Sequence, residues 1–326
     1  MSRLLDRCPL CDAADLPELY IAQDPHYGIA GSYHVARCKR CALVFLNPMD
    51  SDEELTALYP EDYYAHRDDR EVPRWKQLTK QLLGYWNGTK EPIFDKPGRF
   101  LDIGCGSGSF VARMARHGWE SFGIDVNKTA AELGRSKGLK IIHGSLREAT
   151  LSAGYFDYIR ASHCLEHVSC PHETLDEIFR LLKPDGTLLI AVPNIGSLNA
   201  RLFRKYWWHL CAPVHTFSYS VETLTRMLDQ HGFVIRKTVF NSDYVGLLGS
   251  IQIWLNRHTG RRSFQGQLFG SRSLRVFSGW LQKVSDILRL GDMIEVIASK
   301  KTGGHPAVHI RCSGGTSAGS PKSDAA

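Results

Sequence analysis

The chain has 326 residues, with 40 lysines and arginines against 34 aspartates and glutamates, a formal net charge of +6 and 43% hydrophobic residues. At roughly 150 residues per domain, this length predicts about two domains, and the composition is that of a globular protein rather than a collagenous or disordered one. No uncharged stretch reaches the roughly 18 residues that span a bilayer, so no transmembrane helix is expected.

The first residues do not read as a secretory signal, because Asp6, Pro9 and Asp12 interrupt any apolar core there. We therefore expect a cytoplasmic protein. In a reducing compartment, its cysteines are expected to be thiols or metal ligands rather than disulfides.

Four of the nine cysteines form two CxxC pairs near the N-terminus, separated by 26 residues. This spacing suits tetrahedral zinc, and four thiolates leave no coordination position open. We predict a structural Zn²⁺ site in a module covering residues 1–70. Its ligands are Cys8, Cys11, Cys38 and Cys41.

Free thiols and a redox pair are the alternatives for these cysteines. A redox role is disfavoured because neither CxxC pair opens a helix after a strand. Zinc ribbons often bind nucleic acid, but residues 1–41 carry five basic and five acidic side chains. A module without net positive charge lacks the basic surface that typically binds nucleic acid.

From residue 97 to 301, apolar runs alternate with segments of helical periodicity, which is typical of a parallel sheet covered by helices. The predicted strands are 99–103, 120–126, 140–143, 155–161, 187–192, 233–240 and 293–298. The predicted helices are 109–117, 128–137, 172–182 and 221–231. A helical linker is expected over 71–96, and the Gly-, Ser- and Ala-rich tail at 302–326 is expected to be disordered.

A glycine-rich loop follows the first of the central strands, at Gly104, Cys105, Gly106 and Gly108. Glycines let the backbone approach a ligand, and the free amides of the next helix favour polar or anionic groups. The spacing is neither the G-x-G-x-x-G dinucleotide fingerprint nor a phosphate-binding loop with its Lys-Ser/Thr pair. Asp102, just before the loop, would repel a pyrophosphate and attract an ammonium, which favours a cofactor that carries an amino acid.

The second central strand ends at Asp125 and Val126. An acid at this point of a nucleotide-binding sheet is placed to accept hydrogen bonds from two ribose hydroxyls. The alternative is that the glycines only make a tight turn and that Asp125 caps the next helix. Because all of these elements occur in order, we favour a cofactor site.

The chain resembles the class I S-adenosylmethionine-dependent methyltransferases. The resemblance rests on LDIGCGSGSF at 101–110, GIDV at 123–126, FDYIRASHCLEHV at 156–168 and LKPDGTLLIAVPN at 182–194. It covers most of residues 97–301.

This resemblance implies an α/β, Rossmann-like, seven-stranded sheet whose last strand is antiparallel, with S-adenosylmethionine over the carboxyl ends of the first strands. In the family, the acid and glycines that match Asp102, Gly104 and Gly106 hold the methionine part of the cofactor, and the acid that matches Asp125 holds the ribose. Ser145 stands where the family often has an aspartate that contacts adenine. The predicted cofactor-binding set is Asp102, Gly104, Cys105, Gly106, Gly108, Asp125, Val126, Ser145 and His163.

Methyl transfer from a sulfonium is an in-line displacement, so such an enzyme positions two partners and removes a proton from the acceptor. Histidine suits proton removal near neutral pH. His163 lies where the fourth strand leaves the sheet, close to the expected sulfonium. His167 follows four residues later, and His215 lies on the loop after the fifth strand, among aromatic residues.

We predict His215 and His167 as the catalytic candidates. The alternative for His167 is a capping and packing role. The alternative for His215 is a place in an aromatic core.

The N-terminal segments CPLCDAADLPELY and RCKRCALVFLNP resemble the cysteine module of bacterial methyltransferases that act on sugars, lipid-linked metabolites or other small acceptors. The resemblance implies a small-molecule acceptor such as a nucleotide sugar, a glycan or a lipid-linked metabolite. The alternatives are an RNA or protein methyltransferase and a non-catalytic, cofactor-binding interaction protein. Nucleic acid is disfavoured because the sequence has no base-flipping element and no continuous basic and aromatic stripe.

Most of the positive charge lies in one segment, 243–292, which has seven basic and three acidic residues. We predict a helical insertion between the sixth and seventh strands. Its apolar residues at amphipathic spacing are Phe277, Trp280, Leu281, Val284, Ile287 and Leu288. The first interpretation is a helical cover packed on the sheet. The second is peripheral contact with the inner membrane surface or with an anionic acceptor.

Overall fold

The computed structural model describes residues 2–58, 91–259, 261–262 and 268–302. Most of the predicted linker at 71–96, and all of the predicted tail beyond residue 302, lie outside these ranges.

The described strands are β1 (Glu18–Ala22), β2 (Tyr33–Arg37), β3 (Val44–Leu46), β4 (Arg99–Ile103), β5 (Glu120–Asp125), β6 (Lys140–His143), β7 (Phe156–Ser162), β8 (Leu182–Pro193), β9 (Phe217–Ser218), β10 (Phe233–Phe240) and β11 (Met293–Lys300). The described α-helices are α1 (Asp52–Ala57), α2 (Ser109–Arg116), α3 (Lys128–Ser136), α4 (Pro171–Leu181), α5 (Leu198–Phe203), α6 (Val221–Gln230), α7 (Tyr244–Asn256) and α8 (Arg272–Ile287).

A seven-stranded sheet in the order β10-β11-β8-β7-β4-β5-β6 forms the centre of the fold. Its neighbouring strands are parallel except β11, which runs antiparallel to both β8 and β10. The predicted fold class, a Rossmann-like methyltransferase sheet with an antiparallel last strand, is confirmed. Parallel strands covered on both faces read as apolar runs, which is why their positions are visible in the sequence.

A second, smaller sheet has the order β1-β2-β3-β9. Its first three strands belong to the N-terminal module, but β9 comes from the segment after β8. Val44 pairs with Ser218, and Phe45 pairs with Phe217. The N-terminal module therefore shares a sheet with the methyltransferase part of the chain.

The first CxxC pair also docks on two helices of the central fold. His172 Nε2–H donates to the Pro9 carbonyl at 2.6 Å, and His172 Nδ1 lies 2.7 Å from His231 Nε2. His231 Nδ1–H donates to Asp176 at 2.5 Å. These contacts join the cysteine module to the start of α4 and the end of α6. In addition, Cys8, Leu10 and Cys11 belong to the same apolar cluster as residues of the central sheet.

The buried carboxylate of Asp292 ties the helical insertion to the sheet. Its Oδ1 accepts hydrogen bonds from Ser197 Oγ at 2.7 Å and Trp207 Nε1 at 3.1 Å. Its Oδ2 accepts from Asn199 Nδ2 at 2.6 Å and Gln282 Nε2 at 2.8 Å. These four donors come from α5, the turn after it, and α8, so one side chain fixes three segments at the edge of β11.

Helix α8 turns its apolar side outward. Its buried residues are Ser278, Gly279, Gln282 and Ser285, which pack toward α7 and the Asp292 network. Every predicted amphipathic position is exposed, from 41% at Leu281 to 80% at Ile287. The helical spacing was predicted, and the apolar side that this spacing defines is exposed rather than packed on the sheet.

No helix among the described residues is both long enough and apolar enough to cross a membrane.

We expect Asp292→Ala to lower the free energy of unfolding by about 3 kcal/mol or more, because it leaves several buried donors without an acceptor. Urea unfolding followed by circular dichroism measures this change. Asp185→Ala removes an exposed carboxylate and serves as the control, with an expected change within about 0.5 kcal/mol. Equal stability of the two variants would contradict the role of Asp292.

Candidate active site and cysteine cluster

Three glycines give the loop after β4 its shape. Gly104, Gly106 and Gly108 have φ angles of 70°, 54° and 82°, in the left-handed region that favours glycine. The N–H groups of Gly104 and Cys105 both donate to the Ile124 carbonyl of β5, at 2.9 and 3.1 Å. The G-x-G-x-G spacing is thus explained by a loop that folds over the carboxyl ends of β4 and β5.

Asp125 ends β5, and two backbone amides orient its carboxylate. Oδ2 accepts from the Gly106 N–H at 2.7 Å, and Oδ1 accepts from the Asn127 N–H at 2.8 Å. A carboxylate oxygen has more than one acceptor site, so Asp125 can receive further donors while it stays in place. The next side chain, Val126, is 47% exposed and adds an apolar surface beside the carboxylate.

Asp102 lies beneath the loop and is 1% exposed. Its Oδ1 accepts a 2.9 Å hydrogen bond from Arg160 of β7, which also donates to Glu91 Oε1 at 3.3 Å. Burial raises the pKa of the Asp102 carboxyl, although Arg160 opposes this effect. In the structure, Asp102 holds Arg160 under the loop, and its direct contact with an ammonium stays a prediction.

Arg160 and Glu91 were not identified from the sequence. Arg160 did give a signal, since a charged residue inside a buried strand needs a partner. The sequence gave no such signal for Glu91, because Glu91 lies in a segment of mixed charge outside the predicted strands.

Ser145 follows β6 at the same edge of the sheet. Its N–H and its hydroxyl both donate to Glu148 Oε2, each at 2.9 Å. The preceding Gly144 N–H donates to the backbone carbonyl of Asp125 at 3.0 Å, which places this turn beside β5. An adenine contact through Ser145 stays a prediction.

The backbone after β7 passes beside the glycine loop. His163 has a φ of 54°, which is uncommon for a residue other than glycine, and its N–H donates to the Ala191 carbonyl of β8 at 2.8 Å. A Cβ at Gly104 would lie 3.4 Å from Cys164 Cβ. His163 and Cys164 therefore border the space in front of Gly104.

The two catalytic candidates lie against each other. The His167 and His215 rings are nearly perpendicular, with centroids 4.6 Å apart. His167 Nδ1–H donates to the Val214 carbonyl at 2.9 Å, and His215 Nδ1–H donates to the His209 carbonyl at 2.8 Å. A carbonyl only accepts, so each neutral ring carries its lone pair on Nε2.

The pKa of each ring lies below the usual histidine value. Burial lowers the pKa of His167 and lowers that of His215 well below the usual histidine value; His167 adds to the effect on His215. Both side chains are only partly buried. Each ring can therefore accept a proton or bind a cation through Nε2.

Glu166 was not predicted as a site residue, because in LEHV it reads as a capping or packing residue. It is 1% exposed, and neither carboxylate oxygen makes a hydrogen bond with the described residues. His163 Nδ1 approaches Oε1 at 3.4 Å, which is long for a charge-assisted bond. Burial opposes ionisation, but the imidazoles of His163, His167 and His215 prevail and lower the pKa of Glu166 to about 2.

Thr216 fixes the distance between the two histidine segments. Its N–H donates to the Glu166 carbonyl at 2.8 Å, and its Oγ lies 3.0 Å from that carbonyl and 2.8 Å from the Val168 carbonyl. On the other side, Leu46 N–H donates to the Thr216 carbonyl at 2.9 Å. The N-terminal module thus helps to hold the strand that follows His215.

The four predicted zinc ligands converge in the structure. The sulfur atoms of Cys8, Cys11, Cys38 and Cys41 lie within 4.8 Å of one another, and the Cys8–Cys41 and Cys11–Cys38 pairs are 3.5 Å apart. Zn–S bonds of about 2.3 Å in a tetrahedron place sulfurs about 3.8 Å apart, so the set fits a zinc ion. Burial opposes ionisation of Cys38, but the N–H groups of Cys41 and Arg40 lower its pKa to about 7.

A family model described as a methyltransferase domain matches residues 64–238, more than half of the chain. The chain therefore belongs to the methyltransferase-domain family. Together with the sheet order and the glycine loop, this match identifies it as a class I S-adenosylmethionine-dependent methyltransferase.

Two curated relatives show where the similarity lies. The ubiquinone/menaquinone biosynthesis C-methyltransferase UbiE of Vibrio vulnificus is 27% identical over 203 residues, which cover 54% of this chain and 74% of that protein. The ubiquinone biosynthesis O-methyltransferase of Alkalilimnicola ehrlichii is 33% identical over 103 residues, which cover 29% of this chain and 42% of that protein. One relative is named for transfer to carbon and the other for transfer to oxygen.

Among solved structures, a SAM-dependent methyltransferase from Archaeoglobus fulgidus is 23% identical. The match covers 70% of this chain and 93% of that chain, with a TM-score of 0.45.

We expect Asp125→Ala to weaken S-adenosylmethionine binding by about 10-fold or more. The reason is that a hydrogen bond to a charged acceptor contributes about 1.5–3 kcal/mol, and the variant also leaves the Gly106 and Asn127 amides without their acceptor. Isothermal titration calorimetry measures the dissociation constant. Glu132→Gln, an exposed carboxylate on the neighbouring α3, is the matched control and should bind as the wild type does.

Proposed function

We propose that this methyltransferase transfers the methyl group of S-adenosylmethionine to a small-molecule acceptor at a membrane surface, such as a lipid-linked metabolite. The outward apolar side of α8 carries this choice of acceptor. A nucleotide sugar or glycan without a lipid is the other small acceptor that the experiment below distinguishes.

The chain's residues fit the parts of the cofactor, which when bound supplies a methyl group on a sulfonium. In the loop after β4, Gly104 and Gly106 offer backbone without a Cβ to the methionine part. Asp125 has its carboxylate oriented for the ribose hydroxyls, with the apolar surface of Val126 beside it for adenine. Ser145 borders the adenine side, and His163 borders the sulfonium side.

His215 fits the role of general base, with His167 as its neighbour. In transfer to a hydroxyl, the acceptor oxygen attacks the methyl carbon, and the carbon–sulfur bond breaks with its electron pair left on sulfur. The acceptor's proton goes to Nε2 of His215. The negative charge of the nearby Glu166 favours the imidazolium that forms.

The surface formed by α7 and α8 combines exposed apolar side chains with cations. Phe277 and Trp280 are 62% and 56% exposed, and Arg272 is exposed at the start of the same helix. A cleft of about 660 Å³ is lined by apolar residues such as Trp254 of α7 together with Arg204 and Lys205. Apolar side chains beside cations suit an anionic lipid surface or an amphipathic acceptor.

The names of the two relatives refer to ubiquinone biosynthesis, which supports an acceptor with a lipid tail. We also propose that Cys8, Cys11, Cys38 and Cys41 hold a structural Zn²⁺. With four protein ligands, this ion would stabilise the module that borders His215 and would take no part in the transfer.

We expect the double variant Phe277→Ser with Trp280→Ser to lose at least about tenfold in binding to vesicles that contain anionic phospholipid. Burying each aromatic side chain contributes about 1.5–3 kcal/mol. Vesicle sedimentation measures the partition. Ile93→Ser changes another side chain, 98% exposed and distant in sequence, and is expected to leave binding unchanged.

The same proteins are assayed for formation of S-adenosylhomocysteine with lipid extracts, aqueous metabolites and nucleic acid or protein fractions. Activity confined to the lipid extract supports the proposal. Activity confined to aqueous metabolites would favour a free sugar acceptor, and activity lost on nuclease or protease treatment would favour RNA or protein. Cofactor binding without turnover in any pool would show a non-catalytic binding protein.

In protein purified without chelator, we expect a zinc ion at the cysteine cluster, and we expect Cys11→Ser to contain one zinc ion per chain fewer than the wild type. The variant is also expected to unfold at lower temperature, because the cysteine module packs into the central apolar cluster. Mass spectrometry of the metal content and thermal unfolding measure the two effects. Cys211→Ser, a cysteine outside the cluster, is the control; a metal-free wild type would refute the zinc site.

A further inference from the structure

Three side chains from the segments after β7 and before β9 form a second cluster of metal-ligating groups. Among the described residues, one carboxylate oxygen of Glu166 and one ring nitrogen each of His167 and His215 lie within 4.8 Å of one another. Glu166 and His167 follow β7, and His215 precedes β9. This cluster is separate from the four cysteines.

The orientation of both imidazoles is the first observation that points to an ion. Each Nδ1–H is held by a backbone carbonyl, that of Val214 for His167 and that of His209 for His215. Ligand histidines commonly donate their other N–H to a carbonyl or carboxylate, which fixes the tautomer and directs the second nitrogen at the metal. The two rings meet at 82°.

The carboxylate of Glu166 is the second observation. A charge that is 1% exposed needs a partner or a cation. Neither of its oxygens has a hydrogen-bond partner among the described residues, and no described lysine or arginine lies within ion-pair distance of it. By contrast, the equally buried Asp102 carboxylate is paired with Arg160.

We propose that Glu166, His167 and His215 bind a divalent first-row transition-metal ion. Two imidazole nitrogens and one carboxylate oxygen are the donor set that favours Mn²⁺, Fe²⁺, Co²⁺ or Zn²⁺ over Mg²⁺ and Ca²⁺, and three protein ligands leave positions open. Bonds of about 2.1 Å place ligand atoms about 3.0–3.4 Å apart, so a small closure of the side chains completes the site. His163, 3.4 Å from Glu166 Oε1, lies at its rim.

This inference rests on the proposed methyl transfer and makes its acceptor more specific. An ion with open positions beside the expected sulfonium would bind an acceptor through a hydroxyl oxygen and lower the pKa of that hydroxyl. The hydroxyl proton passes to solvent, the resulting oxyanion attacks the methyl carbon, and the electron pair of the broken carbon–sulfur bond stays on sulfur. His167 and His215 then act as ligands, and the role of His215 as general base falls away.

The test is titration of the full-length protein with MnCl₂, followed by the loss of the free Mn²⁺ signal in electron paramagnetic resonance. Mn²⁺ is a suitable probe because thiolates select softer ions, so the four cysteines do not compete for it. We expect one Mn²⁺ per chain in the wild type. In Glu166→Gln and His215→Gln we expect binding weaker by more than about 100-fold, since loss of outer partners alone weakens binding 10–100-fold.

His117→Gln is the control, since His117 is an exposed histidine at the end of α2, and it should bind Mn²⁺ as the wild type does. Circular dichroism and S-adenosylmethionine titration of each variant show that the fold and the cofactor site persist. No Mn²⁺ binding by the wild type, or unchanged binding by folded Glu166→Gln and His215→Gln, would overturn the site.

The measurements of cofactor binding and of Mn²⁺ binding test the methyl transfer and the ion site independently of each other. Cofactor binding and turnover without bound Mn²⁺ would leave the methyl transfer standing with His215 as its base. Mn²⁺ binding without cofactor binding would leave the ion site standing and overturn the proposed function.

Discussion

The pairing of β3 with β9 joins the cysteine module to the segment that carries His215. Two residue pairs make this contact, and the Leu46 N–H donates to the Thr216 carbonyl at its edge. Thr216 in turn contacts the Glu166 and Val168 carbonyls. The mutual position of His167 and His215 therefore depends on backbone contacts that begin in the N-terminal module.

Three buried carboxylates show three ways of stabilising a charge inside this fold. Asp292 accepts four hydrogen bonds from neutral side chains and joins the helical insertion to the sheet. Asp102 is paired with Arg160 beneath the glycine loop. Among the described residues, His163 lies within ion-pair distance of Glu166, and His167 and His215 lie close to it, so this carboxylate, and not the other two, leads to the proposed ion site.

The sequence predicts the seven central strands and the glycine loop well because each is a local pattern. A buried parallel strand is an apolar run, and the left-handed φ angles of Gly104, Gly106 and Gly108 require glycine at that spacing. The small sheet was not predicted, since β9 has two residues and exists only through a partner far away in the chain. The outward side of α8 was missed because Ser278, Gly279 and Ser285 pack closely enough to form its buried side.

The residues that join through β3 and β9, Val44 and Ser218, are more than 170 positions apart in the chain. Synthesis proceeds from the N-terminus at about 5–20 residues per second, so the cysteine module leaves the ribosome well before its fourth strand exists. The four cysteines are therefore synthesised before the segment that carries β9 and His215. In the order of biogenesis, the cysteine cluster precedes the active site that it helps to shape.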